Sequence, residues 1–326
     1  MSVRDRAARR SDGVTLALLF PGQGSQRAGL LSELPETPAA SLAKTDAMSA
    51  VQSLGLDPTT LDRTDSLRRT TDVQLTLIIA GLVTARSLIE DHELDVGMVA
   101  GHSIGAFAAA VSAGVLTVKE AVEVVHHRGQ SMQRTAQDGR WGMAAVTGLS
   151  LRSTSELAQR ISTKSDPLWI ANINAADEIV VSGTTTALTK LRARAGRAGA
   201  RDVKLLDVAV ASHCPLQRPT AAELADRLAS VPRRPQEIAY ITNTGGRRVV
   251  SDAERVLDDL AQSVAQPVRW YDGVRLMSEL GVRITIETPP GHVLTHLVTR
   301  TAPDIQALSI DDTGLSATVT LASKRP

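Results

Sequence analysis

The chain has 326 residues, 43% of them hydrophobic and 22% charged, an ordinary globular composition long enough for one large domain with an insertion or for two domains. Its 36 basic and 35 acidic residues nearly cancel, so no bulk charge points to nucleic acid or to an anionic membrane. Aromatics at 2% argue against base-stacking platforms, and the single cysteine, Cys214, excludes an intrachain disulfide and a cysteine-based metal cage.

Residues 1–13, with Arg4, Arg6, Arg9 and Arg10, read as a disordered, solvated basic arm. No apolar run approaches the roughly 20 residues that span a bilayer, and the start lacks the apolar core of a signal peptide, so a cytoplasmic location is expected. Order begins at 14–20, an apolar run that reads as a buried strand ending in Pro21-Gly22. Over 74–89 the positions Leu75, Ile78, Ile79, Leu82, Val83 and Ala85 recur at helical spacing, and 96–100 supplies the next strand. Alanine-rich 107–113 and then 118–132 read as helices. Strand and helix in alternation predict a parallel sheet covered on both faces.

The texture changes after Asp138-Gly139. Residues 143–149 read as a strand, 151–162 as a helix, 169–174 and 178–183 as strands, 185–198 as a helix and 203–210 as a strand. That βαββαβ order is the ferredoxin-like one. The parallel pattern then resumes, with helices over 220–229, 253–264 and 271–280 and strands over 238–243 and 283–287. Beyond Ala302 the pattern weakens, and 323–326 are expected to fray. The expected class is α/β: an α/β-hydrolase-like core with a parallel sheet, formed by 14–137 and 209–326, plus an inserted ferredoxin-like α+β small domain over 138–208.

Gly101-His102-Ser103-Ile104-Gly105 sits between the strand at 96–100 and the helix at 107–113. A serine on such a sharp strand-to-helix turn presents its hydroxyl, and the helix N-terminus offers N–H groups to a developing oxyanion. Taken alone, the motif is as often a plain tight turn. A nucleophilic serine needs a base, and there are seven histidines. His102 should point away from its neighbour and pack or orient; His126 and His127 lie on a helix, His92 in a polar loop, and His292 and His296 at a late helix start. His213, in Ala211-Ser212-His213-Cys214-Pro215, is best placed, in a loop where the chain re-enters the main sheet. Cys214 is a rival nucleophile, with a buried structural thiol the plainer reading. Pro21-Gly22-Gln23-Gly24-Ser25-Gln26 lacks the third glycine of a dinucleotide loop and the lysine of a phosphate loop, but its backbone could approach a carbonyl. Arg128, beside Gly129, is usually a solvated type of residue, yet its planar fork suits a carboxylate. No metal-binding spacing is present.

Together Phe20 to Gln26, Gly101 to Gly105, Arg128-Gly129-Gln130-Ser131-Met132-Gln133, Ser212 to Pro215 and Pro267-Val268-Arg269-Trp270 resemble the malonyl-CoA:acyl carrier protein transacylases, in order over nearly the whole chain. The resemblance implies Ser103 as the nucleophile that takes malonyl as an ester and His213 as its base and acid. It implies the N–H groups of Gln23 and Ile104 as the oxyanion hole and Arg128 as partner of the malonyl carboxylate. The backbone carbonyl that orients the histidine falls at Ser263, where the family usually has glutamine; Gln262 is one residue earlier and, with His102, a supporting candidate. Ala106 stands where fatty-acid-synthesis members usually carry glutamate.

These departures, with Leu34-Pro35, Ala171 to Ala175 and Glu287-Thr288-Pro289-Pro290-Gly291, look like the epsilon subunit of bacterial malonate decarboxylase. That branch implies malonyl-CoA as donor and, as acceptor, the phosphopantetheine-type thiol of the decarboxylase's own acyl carrier protein, with no bound cofactor, metal, nucleic acid or membrane. The alternatives are the same transacylase serving fatty-acid or polyketide synthesis, a serine esterase of α/β-hydrolase type, and a non-catalytic carrier-docking subunit.

Overall fold

The computed structural model describes residues 16–208 and 210–323. The expected arm at 1–13 lies outside the described residues, as do Ala209 and 324–326. The first half of the large unit runs β1 (Leu16–Phe20), α1 (Pro38–Ser53), α2 (Thr70–Arg86), β2 (Met98–Gly101), α3 (Gly105–Ser112) and α4 (Val118–Thr135). Then come β3 (Trp141–Thr147), α5 (Leu151–Ile161), β4 (Leu168–Ala175), β5 (Glu178–Thr184), α6 (Thr185–Ala195) and β6 (Asp202–Leu205). The chain finishes with α7 (Arg218–Ala229), β7 (Ala239–Ile241), β8 (Arg248–Val249), α8 (Ala253–Gln262), α9 (Trp270–Glu279), β9 (Ile284–Glu287), α10 (Val293–Thr301), β10 (Gln306–Ser309), α11 (Ile310–Thr313) and α12 (Leu315–Ser323).

The larger sheet has the order β10-β9-β1-β2-β7-β8, parallel throughout except for the edge strand β8. Every residue of β1 is buried, as a strand covered on both faces requires. Its side chains alternate: Leu18 and Phe20 enter one apolar core, with α2, α3 and α4, while Ala17 and Leu19 enter another, with Trp270, Val274 and Met277 of α9 and Leu294 of α10. The winding reverses at β1, because β2 and β7 lie to one side of it and β9 and β10 to the other. A crevice at the carboxyl ends of the strands is expected at such a switch. The loops after β1 and β2 open there.

The second sheet has the order β4-β5-β3-β6, all antiparallel, from a βαββαβ succession. One of its faces packs α5 and α6 around Val146, Leu157, Leu188 and Leu191. The strand β4 is tied to the larger unit by the Ile173 N–H to the Val268 carbonyl (2.8 Å) and the Val268 N–H to the Ala171 carbonyl (2.9 Å).

Several elements differ from the sequence reading. The strand expected over 203–210 stops at Leu205: the Leu206 N–H still bonds the Met143 carbonyl, and the Val208 N–H then folds back onto the Leu206 carbonyl (2.9 Å). The helix α1 was not anticipated, because its inward face is built from Ala40, Ala43, Ala47 and Ala50, which carry little apolar contrast. The parallel edge strand β10 lies where the pattern weakens. Contrary to the expectation of no spanning-length run, Thr70–Asp91 is long and apolar enough to cross a membrane; 89% of an apolar 18-residue stretch within it is buried inside the protein. It is a core helix, clasped by α1, α3 and α4.

A methyl group on Gly105 would lie 2.1 Å from the Phe20 carbonyl oxygen and 2.8 Å from that of Pro21, backbone atoms that cannot yield. Gly105→Ala should therefore destabilise at the upper end of the roughly 1–3 kcal/mol typical of overpacking, lowering Tm by several degrees in a thermal melt. Gly196→Ala, with open space around its Cβ and helical φ −59°, should be neutral or raise stability by up to about 1 kcal/mol. Equal effects of the two would contradict this account of the turn.

Candidate active site

The turn between β2 and α3 places Ser103 at φ 55°, the left-handed region that costs a non-glycine residue about 1–3 kcal/mol. The turn is possible because Gly101 and Gly105 have no side chains: a Cβ on Gly101 would stand 2.1 Å from the Gly105 carbonyl carbon. The His102 N–H donates to the Phe20 carbonyl (2.9 Å), which seats the turn on the end of β1.

His213 comes from the loop where the chain re-enters the larger unit, also at positive φ (58°), and is buried. Its Nε2 lies 2.7 Å from Ser103 Oγ and its Nδ1 lies 2.6 Å from the Ser263 carbonyl oxygen. A carbonyl only accepts, so Nδ1 carries the proton and Nε2 is free to accept from Oγ–H, the arrangement of a general base. Ser263 closes α8, and its carbonyl sits at the negative end of that helix dipole, which favours an imidazolium as it forms. The Ser263 hydroxyl bonds back to Leu260, so the orienting contact needs only the main chain. Among the described residues, no hydrogen bond of the Gln262 side chain reaches the site.

Arg128 projects from α4 toward the same hydroxyl, with Nη2 donating to Ser103 Oγ at 3.3 Å. Gly129 beside it lets α4 close on α2, since a Cβ there would be 2.7 Å from the Thr71 Cα. The guanidinium is 1% exposed, and its Nε and Nη1 have no partner among the described residues. Burial pulls it down to about 10, so it remains a cation at neutral pH. A buried, unpaired fork of this kind is matched to a carboxylate arriving from outside. Gln74 of α2 is fully buried, with Nε2 3.3 Å from Gln23 Oε1 and its own Oε1 unpartnered.

The Ser103 N–H is occupied by Asn243 Oδ1 (2.9 Å). The N–H groups of Gln23 and Ile104, by contrast, have no acceptor among the described residues, and Ile104 is the N-cap of α3. His102 points away from the hydroxyl, with Nε2 between Asn174 Oδ1 (3.1 Å) and Asn172 Nδ2 (3.2 Å) and its ring edge-on to Trp270. The remaining histidines stand apart from this group: His127 pairs with Glu223 and His292 with Asp312. Cys214 is buried, and burial pushes its thiol up to about 12, which disfavours the thiolate a nucleophile requires. No group of three or more potential metal ligands occurs among the described residues. The acceptor of His213 Nδ1 is a carbonyl, so the third, acidic member of a hydrolase triad has no place here.

Sequence reasoning missed Gln74, Asn243 and Asp259, none of which belongs to a short motif. Asn172 and Asn174 stood inside a quoted segment but had no role assigned.

Burial, reinforced by the Arg128 charge, pulls His213 down to about 3. The base form is the neutral one, so it persists as pH falls and is lost only on approach to about 3. Reaction of Ser103 with a fluorophosphonate probe should therefore be level from neutral pH down to about pH 5, without the acid limb near 6.5 of an ordinary histidine. Arg128→Met removes one depressing cause and should bring a limb up toward the measurable range. A limb near 6.5 in the unmodified protein would contradict this. The same depression makes folding stability fall as pH drops from about 6.5 toward 3, because the unfolded chain takes up that proton first.

The acyl transferase domain family matches residues 17–317. The malonyl CoA-acyl carrier protein transacylase of Haemophilus influenzae is 31% identical over 301 residues, covering 91% of this chain and 95% of that protein. The solved malonyl CoA-acyl carrier protein transacylase of Coxiella burnetii is 30% identical, with TM-score 0.87, covering 96% of this chain and 98% of that one. PlMCAT:AntF, a type II PKS acyl-carrier protein in complex with its malonyl-transacylase, matches with TM-score 0.85 and 29% identity over 94% of this chain and 98% of that one. With the serine, histidine and buried arginine brought together on that shared fold, the chain belongs to the acyl transferase family, alongside the malonyl-CoA:acyl carrier protein transacylases.

Proposed function

We propose that this enzyme moves a malonyl group from malonyl-CoA to the phosphopantetheine-type thiol of an acyl carrier protein through a malonyl ester on Ser103. The observation that carries this reading is the Arg128 guanidinium, buried without a carboxylate and 3.3 Å from the nucleophile. In the first half-reaction His213 Nε2 takes the Oγ proton and Oγ attacks the thioester carbonyl. The N–H groups of Gln23 and Ile104 hold the resulting oxyanion. Collapse breaks the C–S bond, and CoA leaves with the proton from His213. In the second, the carrier thiol gives its proton to His213, attacks the ester and regenerates Ser103, so the kinetics are ping-pong. The names of the relatives support the donor, and the PKS complex supports the class of acceptor.

For the carrier, the motifs around Ala106 and Glu287 to Gly291 favour the malonate decarboxylase carrier subunit, with this chain as the epsilon subunit. The names of the relatives favour a fatty-acid or polyketide carrier instead. Side-by-side transfer to the three carriers, read as kcat/KM, decides between them. We read residues 138–208 as a ferredoxin-like insertion in an α/β-hydrolase-like unit formed by 14–137 and 209–326; the antiparallel order β4-β5-β3-β6 supports it. A cytoplasmic location accords with the single buried free thiol.

Intact-mass analysis after mixing with malonyl-CoA, without carrier, should show a malonyl adduct that is lost in Ser103→Ala and scarce with acetyl-CoA. Arg128→Ala should lower malonyl transfer by about 100-fold or more, the cost of removing one partner of a buried ion pair, and acetyl transfer far less. Equal losses for the two acyl groups would remove the carboxylate-clamp assignment. Steady release of free malonate with no adduct would turn the reading toward an esterase.

A further inference from the structure

Helix α8 bears on both halves of the Ser103–His213 pair, directly on the histidine and through Asn243 on the serine. Its end supplies the Ser263 carbonyl to His213. One turn earlier on the same helix, Asp259 is 3% exposed and accepts hydrogen bonds from the Asn243 N–H (2.9 Å), the Thr244 N–H (2.9 Å), the Thr244 hydroxyl (2.7 Å) and the Tyr240 hydroxyl (2.9 Å). These donors satisfy both carboxylate oxygens, as a buried carboxyl requires. Asp259 thereby fixes the chain just beyond β7, the strand next to β2.

From that fixed point the Asn243 side chain reaches across to the nucleophile turn. Its Oδ1 accepts the Ser103 N–H at 2.9 Å and its Nδ2 donates to the Gly101 carbonyl at 2.8 Å. The amide can face only one way, because the Ser103 N–H can only donate and the Gly101 carbonyl can only accept. The Asn243 carbonyl in turn accepts the Arg269 N–H at 2.8 Å. Every polar group of this buried residue is engaged, and its side chain brackets the residues whose backbone is strained.

We infer that Asn243, held by Asp259, is a positioning residue for the nucleophile. It keeps Ser103 left-handed, so that Oγ meets His213, and by occupying the Ser103 N–H it leaves the next one, that of Ile104, as the donor for the acyl oxygen. Asp259 and Ser263 then act from one helical face, one through Asn243 on the serine and the other directly on the histidine. The inference rests on the reading of Ser103 as the acylated residue.

The test is the single-turnover rate of Ser103 acylation by malonyl-CoA, with KM and a thermal melt beside it. Asn243→Ala should slow acylation about 100-fold, comparable to losing an oxyanion donor, with KM for malonyl-CoA changed by less than about three-fold. Asp259→Asn should slow it in the same sense, and add little when combined with Asn243→Ala, since both act through one contact. Asn243→Asp supplies a readout that simple loosening of the fold does not give. Its carboxyl would face the Gly101 carbonyl with the Asp259 carboxylate and Tyr240 close by, while the Arg269 guanidinium is engaged by Asp272, so the surroundings favour the protonated form. Protonated, it accepts from Ser103 and donates to Gly101 as asparagine does. Its acylation rate relative to the unmodified enzyme should therefore recover as pH falls from about 8 to about 5. An Asn243→Ala rate within about three-fold of the unmodified enzyme, or an Asn243→Asp rate that stays depressed down to about pH 5, overturns the inference. If Asn243→Ala fails to fold, the Asn243→Asp profile decides alone. If the unmodified enzyme forms no ester on Ser103, the functional reading fails first and this inference falls with it.

Discussion

A serine held at φ 55° at the end of a buried strand is the constraint around which the rest of the site is organised. The left-handed backbone is unfavourable for a residue with a Cβ and persists only where its surroundings over-determine it. Those surroundings come from several parts of the chain. The strand β1 receives the turn on its carboxyl end, Gly105 allows the first turn of α3 to lie against Phe20 and Pro21, and Asn243 ties the turn to the neighbouring strand β7. A parallel order that sets β1, β2 and β7 side by side is what makes these contacts possible. The fold class and the nucleophile are therefore linked by geometry, and the loops are left free to vary.

The second constraint is electrostatic. A cation and a titratable base share one water-poor space, with the Arg128 guanidinium and the His213 imidazole both within hydrogen-bond reach of Ser103 Oγ. Burial first and the Arg128 charge second penalise the imidazolium, which keeps the histidine neutral and competent as a base. On the function proposed above, a substrate carboxylate would neutralise the arginine as it binds, so the imidazolium would then form beside an ion pair in place of a bare cation. A substrate without that group meets the full repulsion. Discrimination can thus be felt in the chemical step as well as in binding.

The parts of this arrangement that could be read from the sequence are those governed by short-range chemistry. Gly101 to Gly105 announces a turn because glycines at both ends leave room for it, and Arg128-Gly129 is conspicuous because a fork sits beside a residue that permits close helix packing. His213 could be chosen because a loop re-entering the sheet collects at the strand ends. Asn243 and Asp259 could not, since asparagine after a strand and aspartate in an amphipathic helix are commonplace, and only the tertiary fold brings them to residues far away in the chain. For the same reason Gln74, the first residue of the helix expected over 74–89, drew no role, although that helix is buried all round.

The two units of the fold meet at His102, and this bears on how the turn stays closed. Although His102 belongs to the β2–α3 turn, its ring is held by Asn172 and Asn174 of β4, in the second sheet. Asn174 donates in turn to Glu178 (3.2 Å), whose carboxylate pairs with Arg300 of α10 at 2.7 Å. The outer ion pair is half exposed and contributes little by itself. Asn172 and Asn174 are buried; His102 Nε2 can serve only one of the two amides at a time, and Asn172 Oδ1 has no partner among the described residues. Displacing the second sheet would leave the His102 ring without its amide partners, so this contact adds to the backbone bonds between β4 and Val268 in fixing how the two sheets meet. Asn243 secures Ser103 from the main sheet, and the asparagine pair holds its neighbour from the small one.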